Sequence, residues 1–145
     1  MNMNLQGIKR FVWAGAGAAA MLLAGAAMAA SHSVKVTLSG ASEVPPVTTA
    51  ASGAGTIMVG DDMSVSGSVT TKGLDGTAAH IHTGAAGVNG PVTIGLTKTA
   101  DGVWSVPAGA KFTEEQYKTF KAGGTYVNVH TAANKPGEIR GQLVP

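Results

Sequence analysis

The chain has 145 residues, no cysteine and only four histidines, with 44% apolar side chains but just 5% aromatic ones. Its 10 Lys and Arg against 8 Asp and Glu give a formal charge of +2, and Lys9 and Arg10 near the N-terminus account for the whole excess. The balanced remainder argues against nucleic acid or an anionic membrane surface as a partner, and the lack of cysteine excludes disulfides, thiolate ligands and thiol nucleophiles.

Residues 1–29 read as a secretory signal peptide. Lys9 and Arg10 form a positive start, Phe11 to Ala30 is apolar and uncharged, and Ala27-Met28-Ala29 is a small-x-small cleavage site. About twenty apolar residues could span a bilayer on length alone, but the Ala/Gly-rich character and the A-x-A ending favour cleavage. No Arg-Arg pair precedes the run, which points to the general secretory route. The expectation is a periplasmic or secreted protein, free of the membrane after cleavage, with residues 30–145 as one domain.

The remainder reads as all-β. Val34, Val36 and Leu38 alternate with Lys35, Thr37 and Ser39, the period of a half-buried strand. Glu43-Val44-Pro45-Pro46-Val47 interrupts, because proline cannot donate to a ladder. Thr56 to Val59 is a strand, Gly60-Asp61-Asp62 a turn, and alternation resumes from Met63 to Thr71. A strand from Ala78 to His82 precedes a glycine-rich loop, Gly84 to Pro91. Val92 to Thr97 and Val103 to Val106 are expected to pair across the Thr99-Ala100-Asp101-Gly102 turn. One short helix is expected near 113–122, with Thr113 and Gln116 as a capping box and Gly123-Gly124 as the stop. Tyr126 to His130, a turn at Asn134-Lys135-Pro136-Gly137 and a last strand from Ile139 to Val144 complete the chain. Seven or eight short strands at this spacing predict a Greek-key antiparallel β-sandwich of superoxide-dismutase-like or immunoglobulin-like type.

Two of the four histidines sit one residue apart in Ala79-His80-Ile81-His82. Residues two apart on a strand share a face, so His80 and His82 project together. Tyr126, Asn128 and His130 share a face of the later strand, opposite Val127 and Val129. If the two strands are neighbours, three imidazoles converge on a site suited to zinc or copper, with one position open. The plain alternative is a set of solvated or structural histidines. Glu138 and Asp75 are further candidate ligands, though each reads more simply as a surface charge. His32 offers a separate possibility. Cleavage after Ala29 leaves Ala30-Ser31-His32, whose amine, two amides and imidazole can enclose Cu(II) or Ni(II) in a square plane. No G-x-S-x-G, H-E-x-x-H, Walker loop or CxxC is present, so a binding protein is expected before an enzyme. The run Gly84 to Gly90 opens no helix, and reads as a flexible or tightly turned loop beside the histidines rather than a phosphate cradle.

Four motifs occur in order: Glu43-Val44-Pro45-Pro46-Val47, Ala79-His80-Ile81-His82-Thr83-Gly84 with Asn89-Gly90-Pro91-Val92, Tyr126-Val127-Asn128-Val129-His130-Thr131, and Pro136-Gly137-Glu138-Ile139-Arg140-Gly141-Gln142-Leu143. Together they resemble the CHRD domain, the module named for chordin, from about Val34 to Val144. Chordin antagonises bone morphogenetic proteins outside the cell, and stand-alone exported bacterial members exist. A single-domain chain with a bacterial-type signal is not expected to share the growth-factor partner. A weaker likeness is to copper/zinc superoxide dismutase. It implies His80, His82 and His130 as copper ligands and Arg140 as a guide for the anionic substrate. The chain lacks that family's bridging histidine, zinc loop ligands and cysteines, so efficient dismutation is not implied. A structural ion pair to Glu138 or Asp75 is the simpler role for Arg140. The resulting expectation is an exported protein binding a transition metal, copper before zinc, for metal handling or storage. The rivals are a dismutase-like redox enzyme and a protein- or glycan-interaction module using the loops Glu43–Val47 and Gly84–Pro91.

Overall fold

A computed structural model describes residues 30–145; residues 1–29, expected above to be a signal peptide, lie outside the described residues. The chain forms β1 (Ser31–Ser39), β2 (Ser52–Gly60), β3 (Val65–Lys72), β4 (Gly76–Thr83), β5 (Val92–Gly95), β6 (Thr97–Ala100), β7 (Val103–Ser105), α1 (Glu114–Lys121), β8 (Thr125–Thr131) and β9 (Ile139–Leu143). The all-β reading with one short helix holds. Among the described residues no helix is long and apolar enough to cross a membrane.

All nine strands belong to one antiparallel sheet, in the order β5-β4-β8-β9-β1-β2-β3-β7-β6. The two terminal strands are consecutive in sequence and separated only by Leu96. Leu96 N donates to Ala79 O on β4, while Thr97 is already paired with Ser105 on β7. One chain segment therefore serves both ends of the sheet, which rolls up nearly into a barrel. The hairpin expected from Val92 to Val106 forms only in part. Thr97–Ala100 pairs with β7, but Val92–Gly95 pairs with β4. Ile94 and Leu96 keep the inward alternation unbroken, so nothing local marks the change of partner.

The inward side chains of the rolled sheet make one core. It contains Val34, Val36 and Leu38 of β1, Ile57 and Val59 of β2, Ile81 of β4, Val127 and Val129 of β8, and Ile139 and Leu143 of β9. Trp104, Phe112 and Phe120 fill its remaining width. Each fully buried aliphatic side chain contributes about 1.5–3 kcal/mol, the main source of stability in a chain without disulfides. Thr113 caps α1 through both capping-box bonds, Gln116 N to Thr113 Oγ1 at 3.2 Å and Thr113 N to Gln116 Oε1 at 2.9 Å.

The outer face of β4, β8 and β9 is covered rather than solvated. Tyr126 and Asn128 point away from the core, yet each is only 2% exposed. Three loops, residues 40–47, 84–91 and 132–138, lie over them. Tyr126 Oη accepts from Gly90 N, Asn89 Nδ2 donates to Val44 O, and Asn128 Nδ2 donates to Pro136 O. This second, polar layer holds the histidines.

Candidate metal centre

β4 and β8 are direct neighbours. His80 lies opposite Asn128, His82 opposite Tyr126, and His130 one place further along, opposite Ala78. The three rings converge, with centroids 4.9 Å (His80–His130), 5.6 Å (His80–His82) and 6.2 Å (His82–His130) apart. One ring nitrogen from each lies within 4.8 Å of the others. Tetrahedral bonds of ~2.0 Å put donor nitrogens ~3.3 Å apart, so the cluster stands near ligand spacing. His82 is buried; His80 and His130 are half-buried and open one side to solvent.

Backbone carbonyls set the hydrogens. A carbonyl only accepts, so the 2.9 Å contact between His82 Nδ1 and Gly90 O puts the hydrogen on Nδ1. The His130 Nδ1 contact with Lys135 O, 2.7 Å, does the same. Both rings therefore turn an Nε2 lone pair inward, and the carbonyls hold them in orientation. The His130 lone pair accepts from His80 Nδ1 at 2.9 Å. The His82 lone pair is buried with no partner. Burial, then repulsion from His130 and His82, holds His80 below the ordinary histidine value. For His82 burial outweighs the hydrogen bonds that would stabilise its cation, and it too is held low. Both shifts favour the neutral form, the one that ligates metal.

The remaining candidates fall elsewhere. Arg140 is 1% exposed and makes no ion pair with Glu138 or Asp75. Its guanidinium donates to Asn89 Oδ1 and to the carbonyls of Ala85 and Val88, and its Cζ lies 3.3 Å from the centre of the Tyr126 ring. It pins the 84–91 loop, so the run read as flexible or tightly turned is the latter. Tyr126 in turn stacks on His82, with centroids 4.8 Å apart and planes 4° off parallel. Glu138 is buried rather than a surface charge. Its carboxylate accepts from Thr49, Thr131 and Asn134, which hold it below the usual carboxylate range and fix the turn that carries Lys135 O. Asp75 is exposed, 3.9 Å from Lys98. His32 lies within β1, its Nε2 3.9 Å from Asp61 and its ring edge-on to Phe120. The square-planar chelate would require Ser31 and His32 to leave the ladder that pairs them with Gly60 and Val59.

Sequence reading missed two buried polar groups. Asn128 was visible on the histidine face, but its role was not. Glu43 is 5% exposed and lies beside Asn128 and Arg140, with burial raising its carboxyl above the usual range. The 41–46 and 86–87 loops also enclose a cleft of about 410 Å³ floored by Glu43, Arg140 and Gln142.

A rolled antiparallel sheet whose outer face carries a covered polar layer with three histidines defines the class. The CHRD domain family model matches residues 34–143, and the chain belongs to the CHRD domain family. No curated protein and no solved structure matches the chain.

Proposed function

We propose that this CHRD domain binds a transition metal, copper before zinc, through His80, His82 and His130, and that the protein works outside the cytoplasm in metal handling or storage. One observation carries the reading: His82 Nε2 is a buried lone pair without a partner, beside two more imidazoles. Leaving such a group unsatisfied costs about 1–3 kcal/mol, and an ion removes that cost. Copper stands first because it tops the affinity order at nitrogen donors. The test is titration of residues 30–145 with Cu(II), Cu(I) and Zn(II) beside a His80→Ala/His82→Ala variant and one lacking residues 30–32. One-to-one binding lost with the histidine pair supports the site. Loss only on trimming moves the metal to His32, and no binding in any form sinks the reading.

A dismutase-like function gains little, since the Arg140 guanidinium is buried and turned to loop carbonyls rather than to an incoming anion. Superoxide turnover by copper-loaded protein that an Arg140→Ala change abolishes would favour it. An interaction module draws on the cleft between the 41–46 and 86–87 loops. Partner capture unchanged in a His80/His82/His130 triple alanine variant would favour that reading.

A further inference from the structure

Asn128 is 2% exposed, and its Oδ1 has no hydrogen-bond partner. Which end of the amide is which follows from its surroundings. Pro136 O can only accept, and it lies 3.3 Å from one terminal atom, which must be Nδ2. Glu43 Oε1 stands 3.5 Å from the same atom. A side chain at Gly137 would collide with both groups, and that residue, at φ +136°, is glycine. The amide is therefore clamped with Oδ1 turned away from Glu43 and Pro136. It belongs to the histidine face: Asn128 stands directly across from His80 and diagonal to His82, with His130 two residues along its own strand. His82 Nδ1 is already committed to Gly90 O, so the ring nitrogen left free is Nε2. Two buried acceptors without partners, an imidazole lone pair and an amide oxygen, thus belong to one face of the paired strands, and neither has a hydrogen to give the other. A bound cation satisfies both, as would a bridging water; a proton is opposed by burial.

We infer that Asn128 Oδ1 is the fourth donor of the three-histidine site, making it an N3O centre tuned to divalent ions. The inference rests on the metal reading above. An amide oxygen is a hard donor, matched to Cu(II) and Zn(II); Cu(I) gains little from it and is satisfied by the three imidazoles. Asn128 thus selects which oxidation state of copper the protein retains, and Glu43 and Pro136 position it.

The experiment compares Cu(II), Zn(II) and Cu(I) affinities of the wild-type protein with those of Asn128→Val and Asn128→Asp. Valine suits a strand that already reads Val127 and Val129. Asn128→Val is expected to lower Cu(II) and Zn(II) affinity at least about 10-fold while moving Cu(I) affinity less than about 3-fold. Asn128→Asp keeps an oxygen donor and is expected to retain or raise divalent affinity. It also serves as the test if the valine variant does not fold. Equal loss of all three ions in Asn128→Val, no loss of any, or divalent binding lost in Asn128→Asp each overturns the inference. Failure of the three-histidine reading looks different, since wild-type protein would then bind none of the ions.

Discussion

At the scale of single residues, charge state governs behaviour. His80 and His82 sit below the ordinary histidine value of 6.5 in the folded chain. As pH falls through 6.5, the unfolded chain takes up protons before the folded one. Metal-free protein is therefore fully stable above that value and loses stability as pH falls toward and below the folded values. Urea midpoints at about pH 8 and about pH 5 should show the drop, and a His80→Gln/His82→Gln variant should show less of it. Arg140 belongs to a different class of buried residue. Arg140→Ala strands Asn89 Oδ1 and the carbonyls of Ala85 and Val88. At about 1–3 kcal/mol for each unsatisfied group, the expected loss is on the order of 3 kcal/mol or more, read from the urea midpoint. Arg140→Lys should restore only part, because an ammonium cannot reproduce the fork or the stacking on Tyr126. Strand alternation alone made His80 legible with His82 and Asn128 with His130, but not that β4 and β8 are neighbours, which joins the three histidines. What Arg140 and Asn128 do was not legible, since their partners lie 51 and 85 residues away in sequence, at Asn89 and Glu43.

At the scale of elements, the loops over β4 and β8 set the site. Gly90 illustrates the constraint. A Cβ there would run into the carbonyl of Thr83, so the loop approaches the strand closer than any side chain allows. Gly90→Ala should push Gly90 O off His82 Nδ1, release the ring and weaken metal binding about 10-fold. Titration with Zn(II), beside a circular dichroism check of the fold, measures this. The helix gives an independent control, since its cap shares no residue with the proposed site. Thr113→Ala removes the acceptor for Gln116 N and should cost about 1 kcal/mol by urea unfolding, with metal affinity unchanged. Sequence alone located the strands and this helix well, because alternation and capping are local signals. It placed Val92–Gly95 on the wrong neighbour, because pairing is settled by distant strands. It also left unseen that the 84–91 loop meets the 40–47 loop, which depends on one side-chain bond from Asn89 to Val44.

At the scale of the whole molecule, the proposed site joins β4, β8 and the loops above them, so an ion there should stabilise the entire cooperative unit. An ion present at 100 times its dissociation constant adds about 2.7 kcal/mol. Zn(II) should raise the thermal midpoint of wild-type protein and leave that of the His80→Ala/His82→Ala variant unmoved. The passage of the chain through Leu96 has a consequence of another kind. A sheet laid out flat offers two full-length rows of unpaired backbone groups to any passing strand, and such rows seed aggregation and strand exchange. Here both terminal strands are four residues long and belong to one segment of chain. A visiting polypeptide finds almost no ladder to extend. The backbone itself thus guards this domain against strand addition at its sheet edges.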